Sequence, residues 1–492
     1  MTYDLKSATA AVQAIAGRGC IIGAERVART SGGEYTHHNP ATGEAHAHVP
    51  LGGLAEIDAA VSAARSALPV WQAMAMPERV AVLLRLADLL DAHRDEAAAI
   101  NALDNGTPVS VLDSGPYAAS WTRHYAGWID KLSGEVVPTA TADHFDYVLP
   151  EPYGVVAAIV PWNGPMMGMG HKVAPALAAG NTVVCKPPEI APFGALRYAE
   201  LALEAGLPPG VLNVVPGNAV AGDALVRHAG IGKISFTGGV ATARMVMAAA
   251  AEPMTPLTFE LGGKSANIIF PDADLDLACT VAGMLGSVAL SGQGCALPTR
   301  LFVHDDVYDD VVERVVTVAR AASIGDPLDP ATLMGPLVTE VALTRVLGVI
   351  ERARNEGAGK LLTGGARLDG DLASGYYVAP TVFGDVDDAS DLACNEVFGP
   401  VLSVMRFRDE DEVVERANRS PYGLAAYVFT QDAARAHRMA RRLEVGAVTL
   451  NTFPFLSPGA PFGGYKQSGF GREGGRAGIE EFLRRKNVLM GI

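Results

Sequence analysis

Two reactive side chains lie in one glycine-rich stretch of this sequence, residues 259–300. Glu260 is followed by Leu261 and two glycines, and Cys295 comes directly after the segment Ser-Gly-Gln-Gly. A thiolate attacks an electrophilic carbon, and a neighbouring carboxylate can accept the protons that such a reaction releases. The glycines leave the backbone free to turn, so that both side chains can face a cavity. The stretch therefore predicts nucleophilic catalysis by a cysteine with a carboxylate as its base.

The length and charge of the chain restrict the class of protein. With 492 residues, 49% of them hydrophobic, the chain can bury large cores in two or three domains. Its formal net charge of −15 argues against a nucleic-acid or anionic-membrane partner, because those ligands bind clustered Lys and Arg. No uninterrupted apolar run reaches the ~18 residues of a membrane span, and the N-terminal segment does not resemble a signal peptide. A globular protein without membrane association is expected.

The five cysteines indicate the redox environment. They are odd in number and include no C-x-x-C pair. This pattern argues against a disulfide framework and against a zinc site, and no metal site is expected. Reduced thiols fit a cytoplasmic location best.

Predicted strands and helices alternate between residues 153 and 260. The strands cover residues 153–160, 182–186, 211–215, 233–236 and 257–260, and the helices cover residues 165–179, 193–205, 219–228 and 240–251. Near-continuous apolar strands separated by helices predict a parallel, doubly wound sheet. Such sheets bind ligands at the carboxyl ends of their strands, here at residues 161–163, 186–189, 216–217 and 237–239.

The remaining segments add a second alternating block and flanking elements. Residues 266–451 repeat the alternation and predict a second α/β domain. Further helices are expected at residues 55–68, 77–101 and 117–132. Residues 135–152 are expected to form an extended hairpin, which is marginal in isolation and should therefore dock elsewhere, for example on another subunit.

Two nucleotide-binding motifs are matched only in part. Residues 262–265 read Gly-Gly-Lys-Ser, like the end of a P-loop, but Thr258 occupies the position of its first glycine. Gly168-Met169-Gly170 lacks the third glycine of the dinucleotide fingerprint. The prediction of Rossmann-like topology therefore depends on the alternation of strands and helices alone.

Several short motifs occur in a specific order along nearly the whole chain. They are NPATGE at residues 39–44, PWN at 161–163, KPPE at 186–189, FTGG at 236–239, ELGGKS at 260–265, GQGC at 292–295, EVFGP at 396–400, SPYGLAA at 420–426 and PFGGYKQSG at 461–469. In this order and spacing they resemble the aldehyde dehydrogenase superfamily, whose NAD(P)-dependent members oxidise aldehydes to carboxylic acids. The chain is similar to the hydrolytic type, which does not acylate CoA.

The resemblance implies two Rossmann-like, doubly wound α/β domains and a small β oligomerisation arm. The dinucleotide-binding domain would comprise residues 1–132 and 153–257, and the catalytic domain residues 258–451. Residues 133–152 and 476–492 would form the arm, and residues 452–475 would form a loop region that closes the substrate tunnel. A homodimer or homotetramer is expected, since strand addition between subunits covers exposed sheet edges.

The resemblance also implies catalytic roles. Cys295 would add to the aldehyde carbon, and the adduct would pass hydride to the nicotinamide and leave a thioester. Glu260 would activate the water that hydrolyses the thioester, unless it is a strand-end carboxylate in a salt bridge. The Asn163 amide and the backbone N–H of Cys295 would stabilise the developing alkoxide, although an Asn in this context can also be a turn residue. Lys172 and Glu473 match a distal proton relay, and an ordinary ion pair is an equally good explanation.

For the cofactor, the resemblance implies that Lys186 and Glu189 hydrogen-bond the adenosine ribose. An acid at Glu189 suits a free 2′-hydroxyl and disfavours a 2′-phosphate, so NAD is expected rather than NADP. Gly238 would begin the helix that faces the pyrophosphate. A second glycine that is frequent in the family is replaced here by Ala243. The other expected cofactor contacts are Trp162, Gly217, Phe236, Thr237, Gly239, Leu261, Glu396 and Phe398.

The substrate tunnel is implied only by the resemblance. Its expected lining is Gly164, Met166, Met167, His171, Ala289, Leu290, Pro454, Phe455 and Leu456. The set contains no Arg or Lys to pair with a carboxylate, so a hydrophobic aldehyde, aromatic or aliphatic, is expected. His171 could contact a polar group on the substrate or be satisfied by a partner within the protein. Two alternatives stay open: a CoA-acylating semialdehyde dehydrogenase, and a non-enzymatic protein that has kept the fold.

Overall fold

The computed structural model describes residues 5–454 and 456–492. Two large sheets, one of eight strands and one of seven, form the centres of two α/β units, and a separate three-stranded sheet lies outside both. The expected fold class, two Rossmann-like α/β domains with a small additional β sheet, is confirmed.

The strands are numbered in chain order. They are β1 (Cys20–Ile22), β2 (Glu25–Val27), β3 (Glu34–His38), β4 (Ala45–Pro50), β5 (Glu135–Val137), β6 (His144–Pro152), β7 (Val155–Ile159), β8 (Thr182–Lys186), β9 (Leu212–Val214), β10 (Lys233–Gly238), β11 (Leu257–Leu261), β12 (Ala266–Ile269), β13 (Arg300–His304), β14 (Lys360–Thr363), β15 (Thr381–Gly384), β16 (Val401–Phe407), β17 (Tyr422–Gly423), β18 (Ala425–Phe429), β19 (Ala447–Leu450), β20 (Tyr465–Lys466), β21 (Gly469–Phe470) and β22 (Leu483–Gly491).

The helices are numbered in the same way. They are α1 (Leu5–Ala16), α2 (Leu54–Ala73), α3 (Met76–Ala92), α4 (Arg94–Asn105), α5 (Ser114–Ala126), α6 (Pro165–Gly168), α7 (Ala174–Ala178), α8 (Phe193–Glu204), α9 (Ala219–Arg227), α10 (Val240–Ala251), α11 (Leu275–Gly283), α12 (Tyr308–Ala321), α13 (Glu340–Asn355), α14 (Asp391–Cys394), α15 (Glu410–Asn418), α16 (Ala433–Arg442) and α17 (Gly475–Glu480). Short 3₁₀ turns lie at Ile129–Lys131, Ala289–Gly292, Asp305–Val307 and Gly370–Leu372, and π turns at Met169–Val173 and Met284–Val288.

The first sheet has the strand order β2-β1-β9-β8-β7-β10-β11-β21. Its five central strands, in the order β9-β8-β7-β10-β11, are parallel. The chain order reverses beside β7. The strands β7 and β8 are buried along their whole length because apolar clusters cover both faces of the sheet. This topology brings the carboxyl ends of β7, β8, β10 and β11 to one edge, where doubly wound sheets bind ligands.

The second sheet has the order β14-β15-β16-β13-β12-β18-β19 and is parallel except for β14. The expected domain boundary between residues 257 and 258 is wrong in one respect, because β11 pairs along its full length with β10 of the first sheet. The first unit therefore extends to Leu261. The loop region 452–475 contacts both units, since β21 pairs with β11 and β20 pairs with β17.

The arm is the three-stranded sheet β22-β6-β5. β22 pairs with β6 from Leu483 opposite Pro152 to Gly491 opposite His144. The strand is longer than sequence patterning indicates, because its first half is a run of charged residues without apolar alternation. Ion pairs such as Arg485 to Glu135, at 2.7 Å, link these polar faces.

Three helical segments differ from the sequence prediction. The helix expected over residues 77–101 is two helices, α3 and α4, which meet at His93 (φ −99°, ψ 23°). The helix expected at residues 165–179 contains the π turn Met169–Val173, which changes the direction of the side chains within it. The N-terminal helix α1 was not predicted.

One helical segment, Leu275–Gly292, is long and apolar enough to cross a membrane by composition alone. It is 56% buried within the protein, and Val281, Ala282 and Val288 have no exposed surface. Its apolar residues are accounted for by packing against the second sheet.

Candidate active site

A cleft of about 730 Å³ opens at the carboxyl ends of the first sheet. The second unit supplies its opposite wall. Of the residues expected from the sequence, the cleft is lined by Trp162, Asn163, Lys186, Glu189, Phe236, Thr237, Gly238, Gly239, Leu261, Cys295, Glu396 and Phe398. The structure thus brings the expected cofactor residues, the Cys295 thiol and the Asn163 amide into one cavity.

The cleft has the shape and donor groups that a dinucleotide needs. Gly239, rather than Gly238, is the N-cap of α10 and lies in the cavity wall, and the first turn of a helix carries N–H groups without intrahelical partners, which suit a phosphate. A Cβ added to Gly238 would lie 2.6 Å from Phe236 Cζ, and one added to Gly262 would lie 2.1 Å from Glu396 Oε2. Glycine at both positions keeps this wall open, so these residues fit NAD(P).

Lys186 forms a hydrogen bond within this wall of the cleft. Its Nζ donates to the Gly217 carbonyl at 2.5 Å, and burial lowers its pKa while the charge of Glu189 opposes that effect. Gly217 itself was expected to contact the cofactor, yet it does not line the cleft. Its carbonyl holds Lys186, and a Cβ there would lie 2.6 Å from the Cβ of Ala221.

Glu396 and two aromatic rings form the opposite side of the cleft. Glu396 Oε1 accepts a hydrogen bond from the Gly263 N–H at 3.0 Å, and burial raises the pKa of the carboxyl to about 7. Phe398 has a positive φ of 49° and packs edge-on against Trp162, with ring centroids 5.3 Å apart. Its unusual backbone conformation is consistent with a functional site.

Cys295 follows a left-handed segment of backbone. Leu290, Ser291 and Gly292 have φ values of 51°, 53° and 73°. A Cβ at Gly292 would lie 1.9 Å from the Gly399 carbonyl oxygen, so only glycine permits this approach between the two loops. Cys295 as a residue is partly exposed and lines the cleft. Burial, with the nearby carboxylates Glu396, Glu260 and Glu473, raises its pKa to about 12.

Asn163 lies next to the cysteine loop. Its Nδ2 donates to the Gln293 carbonyl at 2.8 Å, and the Gln293 side chain accepts from the Val338 N–H at 3.0 Å. The amide is therefore bound to the loop that carries Cys295, and not merely to its own turn. One amide hydrogen is used in this contact, and the amide stands within the cavity wall.

Glu260 lies behind the cleft on β11, with 4% of its surface exposed. Within the described part of the chain neither carboxylate oxygen has a hydrogen-bond partner, and no cation pairs with it. The salt-bridge interpretation is therefore not supported. Burial and then the charge of Glu473 raise the pKa of Glu260 well above its ordinary value, against the opposing charges of Lys172 and Arg472.

Lys172 and His171, neighbours in one π turn, both contact the Glu473 carboxylate. Lys172 Nζ lies 2.7 Å from Glu473 Oε1, and His171 Nδ1 lies 3.1 Å from Oε2. Lys172 also donates to Ser235 Oγ at 3.1 Å. Burial favours the neutral acid, yet Lys172 and His171 lower the pKa of Glu473 to about 2. The His171 Nε2 is 3.0 Å from the Tyr117 hydroxyl, so both ring nitrogens have protein partners.

The residues expected to line the substrate tunnel differ in solvent exposure. Gly164 and Met166 are buried, whereas Met167, His171 and Ala289 are partly exposed. These residues do not belong to the lining of the dinucleotide cleft. A Cβ at Gly164 would lie 3.2 Å from Met167 Sδ, so the position has little spare room. Phe455 lies outside the described residues.

Sequence patterns missed the part of the wall that comes from helices. The missed lining residues on helices are Ala219, Gly222, Asp223 and Val226 of α9, Thr242, Met245, Val246 and Ala249 of α10, and Val341, Ala342 and Arg345 of α13. Thr339 is the N-cap of α13, and its residue type could have indicated the start of this helix. No local sequence signal shows that α13 contributes to the cleft wall.

Comparison with known proteins agrees with the geometry of the site. A profile of the aldehyde dehydrogenase family matches residues 27–488. An aldehyde dehydrogenase of Enchytraeus buchholzi is 45% identical over 473 residues, covering 95% of this chain and 94% of that protein. The betaine aldehyde dehydrogenase of Cereibacter sphaeroides is 44% identical over 455 residues, covering 92% and 93%.

The chain belongs to the aldehyde dehydrogenase family. A structure of an aldehyde dehydrogenase from Bacillus cereus in complex with NAD⁺ superposes with a TM-score of 0.94 at 41% identity and covers 100% of this chain and 99% of that one. This protein is thus an NAD(P)-dependent aldehyde dehydrogenase. The dehydrogenase has its expected nucleophile in the dinucleotide cleft and its expected base directly behind.

The close approach at Gly292 predicts a stability difference between two glycine variants. Gly292 and Gly357 both have positive φ, 73° and 66°, where a Cβ costs about 1–2 kcal/mol. At Gly357 nothing lies within 4 Å of an added Cβ, whereas at Gly292 the Gly399 carbonyl is in the way. Gly292→Ala should therefore lower the melting temperature more than Gly357→Ala. Equal melting temperatures would contradict the claim that this contact fixes the cysteine loop.

The raised pKa of Cys295 predicts slow alkylation of the cofactor-free enzyme at neutral pH. The thiol has a pKa of about 12 and is mostly protonated between pH 7 and 10. Only the thiolate reacts with iodoacetamide, so the rate of modification should rise about tenfold per pH unit over this range and should not reach a plateau. Peptide mass spectrometry follows Cys295 separately from the exposed Cys394, which reports reagent reactivity. A rate that reaches a plateau below pH 9 would refute the assigned environment.

Proposed function

We propose that this dehydrogenase oxidises a hydrophobic aldehyde to the carboxylic acid with NAD, through a thioester on Cys295 that water hydrolyses. The observation that carries the proposal is the pairing of Cys295, in the wall of the dinucleotide cleft, with a buried Glu260 whose carboxylate has no partner among the described residues. A carboxylate kept without a partner is costly, and a role in proton transfer accounts for it.

In the first step the Cys295 sulfur attacks the aldehyde carbon. Because burial keeps the thiol protonated, the proton must leave as the C–S bond forms, and Glu260 accepts it. The raised pKa of Glu260 makes its carboxylate a stronger base than an exposed glutamate. The aldehyde oxygen becomes an alkoxide, and the Asn163 amide and the Cys295 backbone N–H donate to it.

In the second step the carbon loses hydride, which bound NAD accepts at its nicotinamide. Glu396 and Phe398 stand on the wall where they can hold the nicotinamide ribose and ring. Trp162 packs against Phe398 and limits its movement. These residues orient and shield the reacting carbon, and Cys295 retains the acyl group as a thioester.

The thiol proton taken up in the first step leaves Glu260 before hydrolysis. In the third step Glu260 removes a proton from water as the water oxygen attacks the thioester carbonyl. The tetrahedral species collapses, the C–S bond breaks, and the carboxylic acid gives its proton to the Cys295 thiolate and leaves as the carboxylate. The proton then leaves Glu260. The ion pair of Glu473 with Lys172, whose charges both act on Glu260, offers a relay for it. An interdomain ion pair without proton transfer explains the Lys172–Glu473 contact equally well.

NAD is favoured over NADP by Glu189. Its side chain stands on the cleft wall at the end of β8, beside the buried Lys186. A carboxylate there accepts a hydrogen bond from a ribose 2′-hydroxyl and repels a 2′-phosphate. The NAD⁺ complex of the Bacillus cereus relative supports the same choice.

A hydrophobic substrate is favoured by the residues around the expected tunnel. His171 has both ring nitrogens occupied by Glu473 and Tyr117, so it offers no free cation to a carboxylate. Met167, which is partly exposed, presents apolar surface that suits an aromatic or aliphatic aldehyde.

The arm suits a homodimer or homotetramer. Its sheet carries exposed apolar side chains at Val136, Phe145, Leu149, Leu489 and Met490. Burying them against another copy of the chain would remove this surface from water and cover a sheet edge.

The test is turnover of the purified enzyme with NAD and a panel of aldehydes. Benzaldehyde and a medium-chain aliphatic aldehyde should yield NADH and free acid in equal amounts without CoA, and Cys295→Ala should lower kcat at least about 10³-fold because the nucleophile is lost. Succinic semialdehyde and betaine aldehyde serve as anionic and cationic comparators. Acyl-CoA formed at a higher rate than free acid would favour the CoA-acylating alternative. No NADH from any aldehyde, with NAD binding intact, would overturn the proposal.

A further inference from the structure

A histidine outside the cleft holds the loop that carries Glu189. His37, on β3, is 1% exposed, and its Nε2 lies 3.0 Å from the Ile190 carbonyl oxygen. The same nitrogen lies 3.5 Å from Asp104 Oδ1, a carboxylate at the end of α4. Ile190 and Glu189 are adjacent residues of the cofactor cleft wall. The imidazole thus contacts this loop on the side away from the cleft, and the other side of the loop faces the expected adenosine end of the cleft.

Asp104 binds the other end of the same loop. It has no exposed surface, and its Oδ2 accepts a hydrogen bond from the Gly194 N–H in the first turn of α8 at 3.1 Å. Burial raises the pKa of the carboxyl, while His37 opposes that shift. Asp104 and His37 together therefore anchor the chain at both Ile190 and Gly194, between β8 and α8.

The hydrogen-bond pattern assigns the tautomers of two histidines. His37 Nε2 faces two acceptors, so it carries the hydrogen. In neutral His37, Nδ1 is then an acceptor, and His46 Nε2 donates to it at 2.9 Å. The planes of the two rings are within 11° of parallel, with centroids 4.9 Å apart. Burial lowers the pKa of His46 to about 3, so His46 is neutral and can fill this donor role.

The loop needs such an anchor because it has no regular structure of its own. Residues 187–192 connect β8 to α8 without a helix or a continuous strand, and prolines at positions 187, 188 and 192 remove three backbone donors. On the first-sheet side the Pro187 carbonyl accepts from the Gly217 N–H and from Lys186 Nζ, both at 3.3 Å, and Pro188 forms a bridge with Gly217. The His37 contact is the next tie along the chain, one residue beyond Glu189.

We propose that His37 is a positioning residue for cofactor binding, which fixes Glu189 in the orientation that recognises the ribose 2′-hydroxyl. The inference rests on the proposed function in one respect, the contact of Glu189 with that hydroxyl. His37 touches neither substrate nor cofactor. It acts by holding the Ile190 carbonyl, so that little conformational freedom is lost when the adenosine ribose binds.

The experiment measures the dissociation constants of NAD and 2′-deoxy-NAD by isothermal titration calorimetry. His37→Leu removes the donor and keeps the volume similar, whereas His37→Gln keeps an amide donor that can reach the Ile190 carbonyl. His48→Leu is the matched control, because His48 lies on the same hairpin with its side chain 63% exposed. The wild-type enzyme should bind NAD more tightly than 2′-deoxy-NAD.

The expected result is a loss of discrimination in one variant only. His37→Leu should bind NAD about tenfold more weakly and should no longer distinguish it from 2′-deoxy-NAD, while kcat at saturating NAD and aldehyde stays within about twofold. His37→Gln should recover most of the affinity, and His48→Leu should match the wild type. Thermal melting of each variant shows whether it is folded. If His37→Leu does not fold, the dissociation constants of His37→Gln still test the inference.

Two outcomes would overturn the inference. One is wild-type affinity for NAD in His37→Leu. The other is an equal loss for both ligands, which would indicate general loosening of the fold. If the wild-type enzyme itself does not discriminate, the Glu189 contact in the proposed function is wrong. The NAD affinity of His37→Leu then decides alone, and an unchanged value overturns the role of His37.

Discussion

The burial of two carboxylates near one cysteine is the constraint on which this site depends. Glu473 is held ionised by Lys172 and His171, which contact its two oxygens. Glu260 has no such partner among the described residues, and the charge of Glu473 together with burial drives its pKa upward. The same burial keeps the Cys295 thiol protonated. Neighbouring acids with pKa values displaced in opposite directions mark the groups that exchange protons.

The fold imposes these contacts through irregular backbone at the ends of regular elements. The π turn at Met169–Val173 lets two consecutive side chains, His171 and Lys172, reach one carboxylate. The left-handed segment at Leu290–Gly292 precedes Cys295 in the cleft wall, and Glu260 is the second-last residue of β11 in the first sheet. The proposed catalytic groups therefore lie where the two domains meet, and the Asn163 contact with Gln293 joins the domains at that point.

Regular elements and motif residues were the predictable part of this protein. The strand 182–186 and the helix 240–251 have the predicted bounds, because uninterrupted apolar runs and clear start signals define them. The residues expected to contact the cofactor line the cleft, with Gly217 as the exception. The split at His93, the π turn and the contribution of Arg345 depend on tertiary contacts that leave no local pattern. The same holds for His37, whose partners Asp104 and Ile190 are distant in sequence.

The division of labour between Cys295 and Glu260 is tested most directly by intact-protein mass spectrometry of Glu260→Gln mixed with NAD and an aldehyde. Glutamine keeps the size of the side chain but cannot accept the proton of the attacking water. The account predicts slow acylation of Cys295 in the variant, because the thiol proton has lost its acceptor, and still slower hydrolysis. About one equivalent of NADH should therefore be released while an acyl group accumulates on Cys295. Turnover of Glu260→Gln near the wild-type rate, with Cys295 unmodified, would contradict it.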